Sequence, residues 1–371
     1  MKNLQRNENY RMIPQMIPYF NNNEARFLQE YMESGGFLTE FKQTEKFEEL
    51  IADFTGTKNA IVVNNGTVSL TLMLLACGIG PGDEVIVPNY TMIATPNSVV
   101  SVGAKPIFVD VEETTLCLDL RKIAEAITSN TKAVMFVSAN GRHPSWDISK
   151  LLELCNVKNI ILLEDSAQSL GSIFPSGKHM GTVGTMGSFS FSVPKIITTG
   201  QGGCVVTDND ELANKVRKLK DFGRARGGTD IHDSIGYNFK FTDLQACVGI
   251  AQMGDLKNRV IRKKEIWSRY SENLRESKVF SLFDNDLNTT APWFIDGKSD
   301  NRDALMTYLE SKNIKTRSMY PPINAQRAYS QNGEYPVSEA IGENGLWLPS
   351  YVQITNSEID QICDAILGFQ N

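Results

Sequence analysis

Short apolar runs recur along the first part of the chain. Each is five or six residues long, and a turn or a polar stretch follows it. The seven runs are AIVVN (60–64), EVIVP (84–88), PIFVDV (106–111), AVMFVS (133–138), IILLED (160–165), SFSFS (188–192) and GCVVTD (203–208). Strands that are apolar on both sides are typical of parallel sheets, which helices cover on both faces.

Helical spacing of apolar residues fills several of the gaps between these runs. It occurs at 67–77, 118–128 and 148–155, so strands alternate with helices. This alternation predicts an α/β fold built on a seven-stranded, mostly parallel sheet.

The pattern changes after about residue 250. A long charged helix is predicted over 253–277, followed by short strands and a helix near 302–312. We therefore expect two domains. They are a large α/β domain at 1–250, whose N-terminal arm spans about 1–30, and a smaller α+β domain at 251–371.

Composition excludes several classes of protein. The 371 residues include 37 Lys plus Arg and 43 Asp plus Glu, a net charge of −6, so no overall basic surface favours nucleic acid or an anionic membrane. No apolar run reaches the ~18 residues of a membrane span, and the N-terminus lacks the apolar segment of a signal peptide. The six cysteines show no CxxC spacing and there are only three histidines, which argues against disulfides or a metal site. We expect a cytoplasmic protein.

Two positions at strand ends suggest a ligand site, because open α/β sheets bind ligands at the carboxyl edge. Gly66 and Thr67 lie where a strand gives way to a helix, and free N–H groups there suit a phosphate. The alternative is that Thr67 only caps the helix. Asp165 ends a buried run, where a carboxylate needs a cation such as a pyridinium nitrogen. The alternative is that Asp165 caps the next helix. Gln168, three residues on, can face the same cavity.

One lysine stands in SFSVPKIITTGQGG, between an apolar strand and a glycine-rich turn. A buried amine has a lowered pKa, so part of Lys195 is neutral near pH 7 and able to form an imine with an aldehyde. The ordinary alternative is a surface lysine whose stem covers the strand end. Ser190, five residues earlier, adds a hydroxyl for a phosphate. Phosphate, pyridine and aldehyde on one molecule describe pyridoxal 5′-phosphate.

Five segments, in this order, resemble the DegT/StrS-type sugar-nucleotide aminotransferases, which are fold type I pyridoxal-phosphate enzymes. The segments are NNGT, PNYTMIATPNS, LLEDSAQSLGS, GSFSFSVPKIITTGQGG and GYNFKFTDLQACVGIAQ. The resemblance extends from about Gly35 to the C-terminus. It implies a ping-pong transfer of an amino group from L-glutamate to a nucleotide-linked 4-keto-6-deoxy sugar, for a surface polysaccharide. It also implies a homodimer with shared active sites.

The same resemblance implies a role for each matching residue. Lys195 would hold the cofactor and Asp165 would pair with its ring nitrogen, and these two are the expected catalytic residues. The further cofactor contacts would be Gly66, Thr67 and Ser190 at the phosphate, Gln168 at the ring hydroxyl, Met92 beside the ring, and Asn238 from the neighbouring subunit. The expected substrate contacts are Thr39, Tyr90, Asn140, Arg142, His143, Arg317 and Tyr320.

Some positions depart from the family's pattern. Many members stack an aromatic ring on the cofactor where this chain has Met92, so stacking is either weaker or supplied by a neighbour such as Tyr90. Perosamine-type members read HLYGHP where this chain reads SANGRHP, from 138 to 144. Asn324 replaces a usual histidine, and Lys240 stands where arginine is common.

Other functions are weighed against this one. The acceptor can be a different keto sugar, with a 3-keto or 8-keto group or without a nucleotide. Related sugar dehydratases carry histidine at the position of Lys195, so the lysine argues against dehydration. A non-catalytic regulator would not need Asp165, Lys195 and Ser190 together. A nicotinamide oxidoreductase would need a GxGxxG turn after the first strand, and none is present.

Overall fold

Seven strands form one sheet in the larger part of the chain. The structure is a computed structural model that describes residues 12–225, 229–329 and 333–370. The strands are β1 (Asn59–Val63), β2 (Glu84–Pro88), β3 (Lys105–Val109), β4 (Thr131–Val137), β5 (Ile161–Asp165), β6 (Met186–Ser190) and β7 (Gly203–Thr207). Their order is β1-β7-β6-β5-β4-β2-β3. Only β7 runs antiparallel to its neighbours, so the predicted seven-stranded, mostly parallel sheet is confirmed.

Eight α-helices lie among the described residues of this part. They are α1 (Asn22–Glu33), α2 (Lys42–Thr55), α3 (Gly66–Ala76), α4 (Ala94–Ser101), α5 (Leu120–Ala126), α6 (Ser149–Lys158), α7 (Asp210–Lys220) and α8 (Asp243–Met253). Alternate residues of one strand face opposite layers. In β1, Ile61 and Val63 pack with α3 and α7, whereas Ala60 and Val62 pack with α2 and α8.

A second, four-stranded antiparallel sheet lies in the C-terminal part, as a smaller α+β fold predicts. Its strands are β8 (Ser281–Leu282), β9 (Ile295–Lys298), β10 (Arg317–Ser318) and β11 (Gly345–Leu348), in the order β10-β11-β9-β8. Its helices are α9 (Leu256–Asn273), α10 (Arg302–Ser311), α11 (Pro336–Asn344) and α12 (Asn356–Leu367). The predicted helix at 253–277 is shorter, because α8 ends at Met253 and Gly254 separates it from α9.

Helix α9 links the two hydrophobic cores. Leu256 packs in the core of the larger unit, whereas Ile266 and Tyr270 pack in that of the smaller unit. Ile13 also belongs to the smaller core and pairs with Ile314. The sequence assigns this N-terminal segment to the larger unit, whereas its contacts lie with the smaller one. The first eleven residues of the predicted arm are outside the described residues.

Membrane topology can be checked on the helices. Within the described ranges, no helix combines the length and the apolar character that crossing a bilayer requires.

A buried ion pair joins the larger unit to the smaller one. Arg142, in the loop after β4, places two guanidinium nitrogens 2.9 and 2.5 Å from the carboxylate oxygens of Asp296 in β9. Its Nε donates to the carbonyl of Asp284 at 2.9 Å. Arg142 is 3% exposed and Asp296 1%. All three donating nitrogens of the guanidinium are therefore used within the protein, and Arg142 holds the units together.

Removing Arg142 should strongly destabilise the protein. Arg142→Met leaves the Asp296 carboxylate buried without its partner, which costs about 3–5 kcal/mol. Lys298→Met is the matched control, because Lys298 and Glu113 also pair across the two units but are 48% and 70% exposed. The loss of unfolding free energy in Lys298→Met should stay below about 1 kcal/mol. The measurement is denaturant unfolding followed by tryptophan fluorescence. Equal losses for the two variants would contradict the assignment, and adding Asp296→Leu to Arg142→Met should recover most of the stability.

Candidate active site

A cavity of about 610 Å³ opens at the carboxyl edge of the large sheet. The ends of β1, β5 and β6 contribute to its wall, as expected for an open α/β sheet. Of the residues predicted to bind cofactor or substrate, it collects Gly66, Thr67, Met92, Asp165, Gln168, Ser190, Lys195, Arg317 and Tyr320. Residues that are distant in sequence therefore share one site of a size that suits a small molecule.

The N-terminus of α3 forms one end of this cavity. Asn65 caps the helix by accepting a hydrogen bond from the Val68 N–H at 2.9 Å. The alternative that Thr67 is the cap is therefore wrong. The Thr67 hydroxyl donates no hydrogen bond to another described residue. A Cβ at Gly66 would lie 2.9 Å from the Cβ of Ser190. Glycine thus lets the helix N-terminus approach the Ser190 hydroxyl, and the two together suit a phosphate.

Asp165 is the last residue of β5, and it is 6% exposed. Its Oδ2 accepts a hydrogen bond from the Thr95 hydroxyl at 2.7 Å, and Oδ1 accepts one from the Ala167 N–H at 3.2 Å. Burial raises the pKa of Asp165, while these two donors and the charge of Lys195 lower it. The carboxylate is thus held in a fixed orientation beside the cavity, where a cationic N–H group is its natural partner.

Lys195 lies in the loop after β6. Its burial lowers the pKa of the amine to about 8, although the charge of Asp165 acts in the opposite direction. The ammonium nitrogen lies 4.3 Å from the ring centroid of Trp293, whose indole N–H donates to the carbonyl of Pro194 at 2.7 Å. A residue of the smaller unit therefore holds the lysine loop. Sequence reasoning missed Trp293, because nothing near it marks a contact with a loop 99 residues away.

Gln168 is oriented by the segment that departs from the family's pattern. Its Oε1 accepts a hydrogen bond from the Asn140 backbone N–H at 2.7 Å, which directs its amide NH₂ elsewhere. Asn140 adopts a left-handed conformation with φ of 53°. Its side chain exchanges hydrogen bonds with the backbone of Phe294, at 2.9 and 2.6 Å. Asn140 thus lies behind Gln168 and joins it to the smaller unit.

Several predicted residues are outside the cavity. Asn140 and Arg142 are buried and bonded within the protein, and His143 lines a separate groove beside Trp146. The structure therefore does not bring the SANGRHP loop into contact with the cavity. Thr39 and Asn238 lie on the surface.

The positions around Met92 also differ from expectation. Met92 is 43% exposed and lines the cavity, whereas Tyr90 is 5% exposed and packs behind it against Tyr320, with ring centroids 6.2 Å apart. Tyr90 thus does not replace the missing aromatic ring at the cavity. The side chains of Trp293 and Tyr320 supply aromatic surface to the wall instead.

The two remaining departures have structural explanations. Asn324 forms a reciprocal pair with Asn89, in which each residue receives one hydrogen bond from the other, at 2.7 and 2.9 Å. Lys240 pairs with Asp221 at 2.5 Å and lies over the ring of Phe222. Both residues join loops rather than line the cavity.

The cavity fits pyridoxal 5′-phosphate. Gly66, Thr67 and Ser190 would hold the phosphate, Asp165 would face the ring nitrogen, and Lys195 would meet the aldehyde. The donor set carries no sign of a metal, since nowhere in the described ranges do three His, Cys, Asp or Glu side chains converge as ligands.

Comparison with known proteins agrees with this chemistry. A model of the DegT/DnrJ/EryC1/StrS aminotransferase family matches residues 18–367. The GDP-perosamine synthase of Escherichia coli O157:H7 is 35% identical over 361 residues, which covers 96% of this chain and 98% of that protein. DesV of S. venezuelae has a TM-score of 0.88 and 29% identity, and the match covers 93% of this chain and 94% of DesV. The PLP form of Spr1654 from Streptococcus pneumoniae has a TM-score of 0.89 and 26% identity, covering 96% and 97% of the two chains.

The reactivity of Lys195 should follow its lowered pKa. After removal of the cofactor, the rate of covalent attachment of added pyridoxal phosphate should rise with pH up to about 8 and then level off, because only the neutral amine attacks an aldehyde. Stopped-flow absorbance measures this rate. Nα-acetyl-lysine, with an ordinary pKa of about 10.4, is the control and should keep accelerating to higher pH. A protein rate that follows the control would show that Lys195 is not desolvated.

Proposed function

The chain belongs to the DegT/DnrJ/EryC1/StrS aminotransferase family and is a pyridoxal-phosphate-dependent sugar transaminase, and we propose that it moves an amino group from L-glutamate to a nucleotide-linked 4-keto-6-deoxy sugar. The observation that carries this proposal is that one cavity combines Gly66 and Ser190, which suit a phosphate, with Asp165 and Lys195. The relative named GDP-perosamine synthase makes a GDP-linked acceptor the first to test.

The substrates can bind in the part of the cavity that the smaller unit lines. Arg317 and Tyr320 line the cavity there. Arg317 is exposed, lies over the ring of Trp347, and has no carboxylate partner within ion-pair distance in the described part of the chain. A free guanidinium at the mouth suits the carboxylate of an amino acid or the diphosphate of a sugar nucleotide. Both proposed substrates carry such an anion.

The residues of the cavity divide the work of the reaction. Bound pyridoxal phosphate supplies an electron sink and carries the amino group between the two half-reactions. Asp165 would hold the ring nitrogen of the bound cofactor and keep a proton on it. The Lys195 amine, once free, takes the proton from the Cα of glutamate and later returns one to the sugar carbon that receives the amine. Overall, glutamate and a keto sugar become 2-oxoglutarate and an amino sugar.

An acceptor assay tests this function. Holoenzyme and L-glutamate are incubated with GDP-, UDP- or dTDP-linked 4-keto-6-deoxyhexose, and the amino sugar and 2-oxoglutarate are followed by mass spectrometry. We expect equal amounts of both products with at least one acceptor. Lys195→Ala should still bind the cofactor through its phosphate but lose turnover, because no amine remains to move the proton. Lys178 is exposed, and Lys178→Ala should keep full activity. Formation of 2-oxoglutarate without any amino sugar would contradict the acceptor class.

We also propose that two chains form a homodimer that completes each site. Large apolar side chains are exposed in two neighbouring loops, with Phe37 at 66%, Phe41 at 49% and Ile235 at 85%. The loops are joined because Asp243, just after the second one, accepts a hydrogen bond from the Phe41 N–H at 2.8 Å. Asn238 is exposed within this surface and lies outside the cavity of its own chain. A second copy of the chain would cover this apolar surface.

Mixing two inactive variants tests the shared site. Lys195→Ala and Asn238→Ala are unfolded together and refolded, so that heterodimers form. If Asn238 serves the neighbouring cavity, one of the two sites in each heterodimer is intact, and activity should recover to about a quarter of that of the unmutated enzyme. Lys195→Ala mixed with Asp165→Asn is the control and should recover nothing, because both changes affect the cavity of one chain. No recovery in the first mixture would contradict a shared site.

A further inference from the structure

A second, smaller cavity lies behind the Lys195 loop. Its volume is about 30 Å³. Five segments line it: residues 16–19 of the N-terminal segment, the loop at 193–198, helix α9, the pair Trp293 and Phe294, and the loop at 350–352. The charged residues in its wall are Lys195, Arg259 and Lys263, and no carboxylate of the described residues lines it. Two cationic side chains of α9 therefore line one small space together with the active-site lysine.

Lys263 is the least compensated of these cations. It is 4% exposed, and its ammonium group donates one hydrogen bond, to the Ser350 carbonyl at 2.5 Å. No carboxylate of the described residues lies within ion-pair distance of it. Burial lowers the pKa of Lys263 to about 7, and no neighbouring charge opposes this shift. A charged ammonium in this place needs a further partner.

Arg259, one helical turn earlier on α9, also has unused donors. It is 2% exposed, and its Nη1 donates to the Gln252 side chain at 2.6 Å. Its Nε lies 3.3 Å from the Asp255 carboxylate and its Nη2 lies 3.6 Å from that of Glu24, so two carboxylates compensate part of its charge. Nη2 is nevertheless buried and makes no hydrogen bond. Residues at i and i+4 lie on one face of a helix, and both Arg259 and Lys263 line the cavity.

We propose that this cavity binds one small monovalent anion, of the size of chloride or bromide, between the side chains of Lys263 and Arg259. An anion there would accept hydrogen bonds from donors that the protein does not satisfy and would neutralise the buried ammonium. A space of this volume holds about two water molecules. It is large enough for a halide, but a tetrahedral oxyanion such as sulfate does not fit.

The position of the site connects it with the active-site lysine. Trp293 and Phe294 stack with ring centroids 4.0 Å apart. Lys195 lies over Trp293 on one side, and Lys263 lies 5.9 Å from the Phe294 centroid. The anion would therefore bind beneath the aromatic pair that supports the lysine loop. It is distinct from the anion site at the N-terminus of α3, because Gly66, Thr67 and Ser190 line the larger cavity and not this one.

Thermal unfolding of the holoenzyme tests the site. The melting temperature is measured at pH 7 in increasing chloride, with gluconate replacing chloride so that ionic strength stays constant. Chloride should raise it by about 1–3 °C with saturation. Lys263→Met should abolish this dependence, because the cation is lost while the volume is kept. Lys264→Met, the next residue of the same helix but outside the cavity wall, should retain it. The same chloride dependence in both variants, or none in the unmutated enzyme, would overturn the proposal.

Crystallography provides a second measurement that does not depend on a variant that folds. Crystals of the unmutated holoenzyme grown in bromide should show an anomalous peak between Lys263 and Arg259. Ordinary density without anomalous signal would mean that the cavity holds water and that Lys263 is neutral, which also overturns the proposal.

Discussion

Desolvation of charged side chains at the junction of the two units is the constraint on which the rest of the structure depends. A charge removed from water costs several kcal/mol unless a partner compensates it. The junction nevertheless contains Arg142, Asp165, Lys195 and Asp296 in buried or partly buried positions. The way in which each charge is compensated separates the residues that join the units from those that are available for chemistry.

Arg142 and Asp296 satisfy each other. Two short hydrogen bonds and a third to a carbonyl use the whole guanidinium, so nothing is left for a ligand. Asp165 and Lys195 are different, because hydroxyl, amide and aromatic contacts hold each in place without pairing them directly. Both keep bonding capacity on the side of the cavity. Ionisable groups that have shifted pKa values and unused bonding capacity are typical of functional sites. This distinction favours Lys195 over the tighter ion pair as the place of the proposed chemistry.

The smaller unit takes part in creating these conditions. The carboxyl edge of the sheet brings Gly66, Asp165 and Ser190 together, but a lysine at an open edge would remain in water with an ordinary pKa. Trp293 contacts the ammonium group of Lys195 and holds the backbone of its loop. Asn140 in turn ties Gln168 to Phe294. The site therefore depends on the contact between units, and the ion pair of Arg142 stabilises that contact.

The sequence by itself determined what is local. Apolar runs of strand length defined all seven strands of the large sheet, and the chemistry at their ends marked Gly66, Asp165, Ser190 and Lys195, because a strand end in an α/β sheet has a known position relative to the ligand edge. The tertiary structure alone decided the partners from distant segments. Trp293 lines the cavity, Asn140 and Arg142 lie outside it, and Asn65 rather than Thr67 caps α3. The physical reason is that periodicity reports which face of an element is buried, whereas the partner of a buried polar group is set by packing between units that are far apart along the chain.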